Sequence, residues 1–344
     1  MGSRIQLLDC TLRDGGLGLE DAFKNQIVDM GFSMDDMDRM MEHLGKSNID
    51  IIELGSIELS NDDKRCFAIY QDIKSISEKK PDDCNEDQMF VALYRGPDTS
   101  IDDIPEWSPK MVDGVRVILR YSQLQKSLGF CEALAKKGYK VFIQPMLTMR
   151  YTDEQLQHII EAANRMDAYA LYFVDSYGYM QTQDVIRLFD IFDRGLNKNI
   201  RIGFHAHNNM NLAFSNVLSF IGIESERSII VDSCAIGMGQ GAGNLQTEVI
   251  AHYLNANYSA DYNYKEILEV CELVERFNVQ NVWGYSVTRL LPAIHKTAYK
   301  YAVALRNQYG LSYADIDCVF KNMPEELRHR YTPENTLELL QRLK

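Results

Sequence analysis

Two histidines stand two positions apart in the segment "GFHAHNNMN", residues 203–211. Side chains at positions i and i+2 of a β-strand point to the same face, so His205 and His207 would project together. Two neutral imidazoles on one face can bind a divalent ion, and a carboxylate would complete such a site. The alternative is a pair of buried histidines satisfied by backbone or carboxylate partners. Because the chain has only seven histidines and two of them form this pair, we favour a metal site.

Two other segments supply the remaining candidate ligands. In "LLDCTLRDGG", residues 7–16, an apolar run ends in Arg13 and Asp14, and Asp14 is the expected carboxylate. In "GMGQGAGNLQTE", residues 237–248, the amide oxygen of Asn244 is a further candidate. This set of nitrogen and oxygen ligands suits octahedral Mn²⁺ or Mg²⁺, with Zn²⁺ or Co²⁺ as alternatives. A glycine-rich loop before a helix also binds phosphate, so a phosphorylated or nucleotide-bearing substrate is a competing interpretation.

Eight short apolar runs rich in β-forming residues alternate with segments of helical periodicity. The predicted strands span residues 5–11, 49–55, 88–95, 114–120, 139–147, 168–175, 200–207 and 228–234. The predicted helices include 34–47 behind an N-cap at Ser33, and 121–137, 152–166, 182–196 and 211–223. This alternation predicts an α/β fold, a closed (β/α)8 TIM barrel whose eighth helix begins near Asn244. An open doubly wound sheet is the rival, but the glycines after the first strand do not fit G-x-G-x-x-G.

Catalytic groups of a TIM barrel lie at the C-terminal ends of its strands. Polar residues occur at the predicted ends, namely Arg13, Asp14, Glu53, Arg120, Gln144, Asp175, His205, His207 and Asn244. After about residue 260 the pattern becomes helical only. We therefore predict a catalytic barrel domain over residues 1–260 and a helical C-terminal domain over residues 261–344.

The composition limits the partners that we expect. A net charge of −13 and scattered basic residues argue against nucleic acid or an anionic membrane surface as a partner. No apolar stretch approaches the roughly 18 residues of a membrane span. The seven cysteines are odd in number and contain no Cys-x-x-Cys pair, so we expect a reducing cytoplasm.

Four separated motifs together resemble the DRE-TIM metallolyase superfamily of hydroxymethylglutaryl-CoA lyase, 4-hydroxy-2-oxovalerate aldolase and isopropylmalate synthase. They occur in the expected order between residue 5 and about 250: "TLRDGG" with Arg13 and Asp14, "IIELGS" with Glu53, the pair His205 and His207, and "GAGNLQTE" with Asn244. Two further segments, "VDSYGYM" at 174–180 and "NVWGYS" at 281–286, are most similar to the aldolase branch.

The resemblance implies a divalent-metal-dependent carbon–carbon lyase. The ion would be held by Asp14, His205 and His207, with Asn244 as a further ligand. A 2-oxo acid such as pyruvate would chelate the ion, and Lewis-acid polarisation would favour a metal-bound enolate. A 4-hydroxy-2-oxo acid would then yield pyruvate and an aldehyde, or the reverse addition would occur.

The resemblance also implies roles for residues around the ion. Arg13 would stabilise the developing oxyanion, and Glu53 would orient Arg13 through a charge-assisted hydrogen bond. We expect Gln144, Ser176 and Tyr285, together with Arg13, to contact the substrate.

The sequence departs from the aldolase branch at position 17. Well-characterised 4-hydroxy-2-oxovalerate aldolases have a histidine base there, whereas this chain has Leu17, which cannot move a proton. The alternative bases are a metal-bound water, Glu20, Asp21, Tyr94, Tyr177 and Tyr285.

We expect the loops 17–32, 56–64 and 95–110 to shape the pocket for the aldehyde.

Two other functions stay open at this point. One is a Claisen-type condensation of an acyl-CoA with a 2-oxo acid, although no basic cluster for the CoA phosphates is evident. The other is a non-catalytic barrel that keeps the metal or ligand site but lacks the base. The resemblance further suggests a homo-oligomer and a partner dehydrogenase that consumes the aldehyde.

Overall fold

The computed structural model of the protein describes residues 4–60, 62–81, 84–280 and 283–341. The strands in these ranges are β1 Ile5–Asp9, β2 Ile51–Ile57, β3 Ile69–Tyr70, β4 Met89–Tyr94, β5 Gly114–Leu119, β6 Lys140–Pro145, β7 Ala170–Asp175, β8 Arg201–Ala206 and β9 Ile229–Ser233. They pair in parallel in the order β1-β9-β8-β7-β6-β5-β4-β2-β3, and a further pairing of β1 with β2 closes the sheet. Eight strands therefore form a closed barrel, with the short β3 added beside β2, and the predicted TIM barrel is confirmed.

Helices between the strands cover the outside of the barrel. Their bounds are α1 Gly16–Lys24, α2 Met34–Gly45, α3 Ile73–Ser77, α4 Leu124–Lys136, α5 Asp153–Arg165, α6 Thr182–Gly195, α7 Ala213–Ile221 and α8 Thr247–Tyr258. Ser33 caps α2 as predicted, because its hydroxyl accepts from the Asp36 backbone N–H at 3.0 Å and the Asp36 carboxylate accepts from the Ser33 N–H at 2.8 Å. Side chains fill the barrel and helices cover it, so β2, β4, β7 and β9 are buried along their whole length.

The helices after the barrel are α9 Tyr264–Gln280, α10 Val287–Ile294, α11 Tyr299–Asn307, α12 Tyr313–Lys321, α13 Glu325–Arg328 and α14 Pro333–Gln341. Helix α9 packs against α2 and α8, and its buried Ile267 and Val270 belong to the hydrophobic cluster of the barrel. Helices α10 to α14 enclose a second cluster around Tyr301 and Phe320. The division into two domains at residue 260 stays a prediction. Within the described ranges, no helix is both long enough and apolar enough to cross a membrane.

The segment after β1 differs from the loop that we predicted over residues 17–32. Residues Thr11–Gly15 form a π-helical turn that continues directly into α1. A Cβ on Gly18 would lie 2.4 Å from the carbonyl oxygen of Gly239, so only glycine allows this close approach of α1 to the neighbouring backbone. The glycines that indicated a loop therefore serve helix packing, and β1 is followed by a compact helical turn.

Candidate metal centre

The two histidines lie at the C-terminal end of β8. His205 belongs to the strand, His207 follows it directly, and both side chains are buried. The intervening strand residue Phe204 points the other way and packs on Phe173 and Phe220. The strand period of two therefore brings both imidazoles to the inner face, with their ring centroids 5.1 Å apart.

Asp14 lies beside this pair, on the helical turn that follows β1. Its Oδ2 atom is 3.7 Å from Nε2 of His205 and 4.0 Å from Nε2 of His207. One possible ligand atom from each of the three residues lies within 4.8 Å of the other two. A divalent cation holds nitrogen and oxygen ligands at about 2.0–2.2 Å, so one ion could contact all three after small side-chain adjustments.

Asn244 reaches the same centre from the glycine-rich loop before α8. Its Nδ2 donates to Oδ2 of Asp14 at 2.5 Å and to the Met238 carbonyl at 2.8 Å. Its Oδ1 is buried and has no hydrogen-bond partner among the residues that the structure describes. An unpaired buried acceptor costs about 1–3 kcal/mol. A cation at this centre would satisfy the oxygen once the amide rotates so that Oδ1, in place of Nδ2, faces Asp14. Gly239 provides the space, because a Cβ there would lie 2.3 Å from Nδ2 of Asn244.

Two of the three candidate ligands are already in the protonation state that a bound cation requires. Burial would raise the pKa of Asp14, but the charges of Arg13, His207 and His205 and the hydrogen bond from Asn244 together outweigh burial and bring this pKa to about 2. Burial lowers the pKa of His207 to about 4, which leaves a neutral imidazole at neutral pH. Burial also lowers the pKa of His205, but its hydrogen bonds to Asp232 and Cys10 and the negative charge of Asp232 together outweigh that effect and raise the pKa to about 9. A metal ion that binds Nε2 of His205 would therefore displace a proton.

Arg13 is held between two carboxylates. Its Nε donates to Oε2 of Glu53 at 2.7 Å, and its Nη1 donates to Oδ1 of Asp14 at 2.7 Å. All three side chains are buried, and the pKa of Arg13 is well above its usual range because the two carboxylate charges outweigh burial. In the described part of the chain no acceptor is hydrogen-bonded to Nη2, so its N–H groups are available to a ligand.

Arg116 extends the network from Glu53 to the histidines. Its Nη1 donates to the same Glu53 oxygen at 2.7 Å, and its Nη2 donates to Asp232. Oδ2 of Asp232 accepts from Nδ1 of His205 at 2.9 Å, which directs the other ring nitrogen of His205 towards Asp14. The network contains three carboxylates, two guanidinium groups and the protonated His205, so its charges balance. Once His205 gives up its proton, one net negative charge is left for a divalent cation.

A cavity of about 490 Å³ lies between the barrel mouth and the C-terminal helices, and both His207 and Ser176 line it. The Ser176 hydroxyl also accepts from the Leu147 backbone N–H at 2.9 Å. Gln144 lies behind the site, where its amide oxygen, suitably oriented, accepts from Nη2 of Arg116 at 3.1 Å. Tyr285 is 56% exposed. Ser176 is thus grouped with the candidate metal centre, whereas Gln144 and Tyr285 do not line this cavity.

The residues considered as the missing base lie in different surroundings. Leu17 is packed in the hydrophobic core of the barrel. Glu20 is buried and forms ion pairs with two lysines at 2.8 and 3.2 Å. Tyr94 is buried and packs edge-on against a phenylalanine of α4. By contrast, Tyr177 lines the cavity, and Asp21 is hydrogen-bonded to residues that line it.

Sequence reasoning missed the residues that connect the strand ends. Arg116 lies in the apolar strand "GVRVIL" and Asp232 in "IIVDS". A charged residue inside a buried strand was the available signal, because unpaired charges are almost never fully buried. It also missed Cys10 and Cys234, whose sulfur atoms are 3.3 Å apart, and Cys10 forms a second candidate ligand group with His205 and Asp232.

The fold and this centre define a TIM-barrel enzyme of the metal-dependent class. The HMGL-like family matches residues 4–274, and the chain belongs to this family. The resemblance to the DRE-TIM superfamily that the sequence motifs indicated is thereby confirmed.

Individual relatives support the same assignment. The chain is 25% identical over 325 residues to a 4-hydroxy-2-oxovalerate aldolase from Pseudoalteromonas translucida, covering 92% of this chain and 89% of the relative. Among solved structures, the N-terminal domain of a Bacteroides vulgatus protein matches with a TM-score of 0.73 at 20% identity, covering 90% of this chain and 98% of that one. Hydroxymethylglutaryl-CoA lyase from Pseudomonas aeruginosa matches with a TM-score of 0.59 at 15% identity, covering 80% and 92%. At these identities the two structures support the fold alone.

Proposed function

We propose that this protein is a divalent-metal-dependent carbon–carbon lyase of the aldolase type. It cleaves a 4-hydroxy-2-oxo acid to pyruvate and an aldehyde, or joins the two in the reverse direction. The observation that carries the proposal is the close placement of Asp14, His205 and His207 beside Arg13, which holds an unused pair of N–H groups. Membership of the HMGL-like family and the aldolase among the relatives support the same chemistry.

The candidate ligands have separate tasks. Asp14, His205 and His207 would hold the ion, with the amide oxygen of Asn244 as a further ligand. The bound ion would supply Lewis acidity towards a 2-oxo acid. Asp232 keeps the Nδ1 proton of His205 in a hydrogen bond, so that Nε2 is the nitrogen that faces the ion.

Arg13 acts on the oxygen that gains negative charge as the 2-oxo acid becomes an enolate. Glu53 and Asp14 fix the guanidinium by two hydrogen bonds, so it needs no reorganisation during the reaction. Loss of one preorganised donor of this kind lowers kcat about 100- to 1,000-fold.

Four finer features belong to this proposal. The mixture of imidazole and oxygen ligands favours Mn²⁺ or Mg²⁺. Pyruvate is the small 2-oxo acid, as the resemblance to the aldolase branch implies. Within the described residues no disulfide joins Cys10, Cys66, Cys131, Cys234, Cys271 or Cys318, which supports a reducing cytoplasm. A homo-oligomer and a dehydrogenase that receives the aldehyde complete the proposal by analogy with the aldolase branch.

The proposal can be tested by NMR with pyruvate in D₂O. We expect the Mn²⁺-loaded protein to exchange the methyl protons of pyruvate for deuterium, and Arg13→Gln to slow this exchange about 100-fold. Arg120→Gln is the matched control, because Arg120 is paired with Asp98 at the surface. Metal binding without exchange would instead indicate a non-catalytic barrel, and condensation of an acyl-CoA with a 2-oxo acid would indicate the Claisen-type enzyme.

A further inference from the structure

Asp21 joins three elements that are far apart in the sequence. It lies in α1, and its Oδ1 accepts from Nζ of Lys300 at 2.8 Å. Its Oδ2 accepts from Nε2 of Gln240 at 3.0 Å and from the hydroxyl of Tyr299. Gln240 belongs to the glycine-rich loop that carries Asn244, whereas Tyr299 and Lys300 begin α11. One carboxylate therefore ties the start of the barrel to the C-terminal helices.

The three donors to this carboxylate lie at the wall of the substrate cavity. Gln240, Tyr299 and Lys300 all line the cavity that His207 lines. Burial and the charge of Asp21 raise the pKa of the Tyr299 phenol well above its usual range, so the hydroxyl stays protonated at neutral pH. The cavity wall thus includes Tyr299, whose neutral hydroxyl is already hydrogen-bonded to the Asp21 carboxylate.

We propose that Tyr299 is the catalytic residue that takes the proton of the substrate 4-hydroxyl, and that Asp21 accepts the phenolic proton in exchange. The inference rests on the proposed aldolase function and deepens it, because that reaction needs a proton acceptor. Lys300 and Gln240 are positioning residues, since they hold the Asp21 carboxylate against the phenol.

The proton and electron balance of the step closes within the site. In the cleavage direction the bond between carbons 3 and 4 breaks, and its electron pair enters the enolate of the 2-oxo acid. The bond from carbon 4 to its oxygen becomes the aldehyde carbonyl, while the hydroxyl proton passes to Tyr299 and the phenolic proton to Asp21. Return of one proton to carbon 3 yields pyruvate and restores both side chains, so no external acid, base or oxidant is consumed.

The competing groups lack this arrangement. Tyr177 also lines the cavity, but its described contacts are with the rings of Tyr179 and His329, and no carboxylate lies beside its hydroxyl in the described ranges. The carboxylate of Glu20 is engaged by lysines and is not part of the cavity wall. Among these described residues, only Tyr299 with Asp21 combines a tyrosine that lines the cavity with a proton acceptor hydrogen-bonded to its hydroxyl.

The test compares Tyr299→Phe with Tyr309→Phe, a matched variant that removes the hydroxyl of a tyrosine just after α11 that is 39% exposed and does not line the cavity. Two reactions are measured with Mn²⁺: aldol addition of pyruvate to the best acceptor in a panel of small aldehydes, and decarboxylation of oxaloacetate. Decarboxylation forms the same enolate by loss of CO₂ and transfers no hydroxyl proton. We expect Tyr299→Phe to slow addition at least about 100-fold and to leave decarboxylation within about threefold, whereas Tyr309→Phe leaves both within about threefold.

Asp21 is tested by Asp21→Asn, which keeps the size of the side chain but cannot accept the proton. We expect a lower kcat for addition with an unchanged KM for pyruvate, and partial recovery of kcat in Asp21→Glu.

Three outcomes would overturn the inference. Undiminished addition by Tyr299→Phe would show that another group takes the proton. Equal loss of addition and decarboxylation would show that Tyr299 only holds the site together. If the wild-type protein decarboxylates oxaloacetate but adds pyruvate to no aldehyde, the inference about Tyr299 is wrong although the protein is still a lyase. If the wild-type protein catalyses neither reaction, the proposed function itself is wrong.

Discussion

Replacement of Asp232 by asparagine tests how the buried charge network supports the metal centre. In the wild type the carboxylate accepts from Nδ1 of His205 at 2.9 Å and pairs with the buried Arg116. The amide of asparagine has nearly the same shape, but its NH₂ group can donate to Nδ1. That contact would favour the tautomer with the proton on Nε2, which is the nitrogen that lies 3.7 Å from Asp14.

The size of the effect follows from the position of this contact. Loss of the partner behind a metal-binding histidine lowers metal affinity about 10- to 100-fold, which corresponds to about 1.4–2.8 kcal/mol. The side chains of His205 and Asp232 are at most 5% exposed, so water cannot replace the lost partner, and we expect a loss near the upper end. Breaking the buried ion pair between Asp232 and Arg116 lowers the free energy of unfolding by about 3–5 kcal/mol. Arg116 keeps its other contact, with Glu53.

The assay is a Mn²⁺ titration followed by the electron paramagnetic resonance signal of the free ion, with circular dichroism as the check on folding. Asp50→Asn is the matched control, because Asp50 is a largely buried carboxylate just before β2, at the opposite end of the barrel. It accepts from the Leu7 backbone N–H and from the Tyr262 hydroxyl, each at 2.8 Å. A folded Asp232→Asn variant with the Kd of the wild type would refute the reasoning about His205.

Two further predictions concern the ligands and the pH dependence of stability. Asp14→Ala and His207→Ala should each abolish uptake of Mn²⁺ measured by elemental analysis while the barrel stays folded, and normal metal content in both variants would rule out this ligand set. Burial raises the pKa of Asp175 from 3.8 to about 7, so the stability that its protonated form contributes is complete below about pH 4 and is lost as the pH rises through 7. Asp175→Asn should therefore flatten the decline of unfolding free energy between pH 4 and 7.5 by up to about 4 kcal/mol in urea titrations, and an unchanged decline would contradict that pKa.

The barrel could be predicted because each strand is a local run of apolar, β-forming residues that is buried on both faces. The order of the strands then follows from the right-handed parallel connections of such a barrel. The helix α1 could not be predicted in the same way. Its two glycines are typical of loops in a sequence. Position 18 requires glycine because the backbone of Gly239 packs against it, and the two positions come together only in the folded chain.

The site was only partly accessible from the sequence for the same reason. The pairing of His205 with His207 follows from the strand period, and strand ends identify Arg13, Asp14 and Glu53. The contact between Arg116 on β5 and Asp232 on β9 crosses the barrel interior between strands that are not neighbours. No local pattern states which inward side chains meet there.

The C-terminal helices contribute a reactive group as well as a packing surface. Leu17 and Asp21 are four residues apart in α1, so they lie one helical turn from each other on the same side of the helix. A histidine at position 17 would belong to the first turn of α1, whereas a carboxylate at position 21 works through a hydroxyl that α11 brings to the cavity. In the proposed step, Asp21 and α11 therefore perform the proton transfer for which Leu17 supplies no base. A helical segment without any strand-end motif would then carry the group on which proton transfer depends.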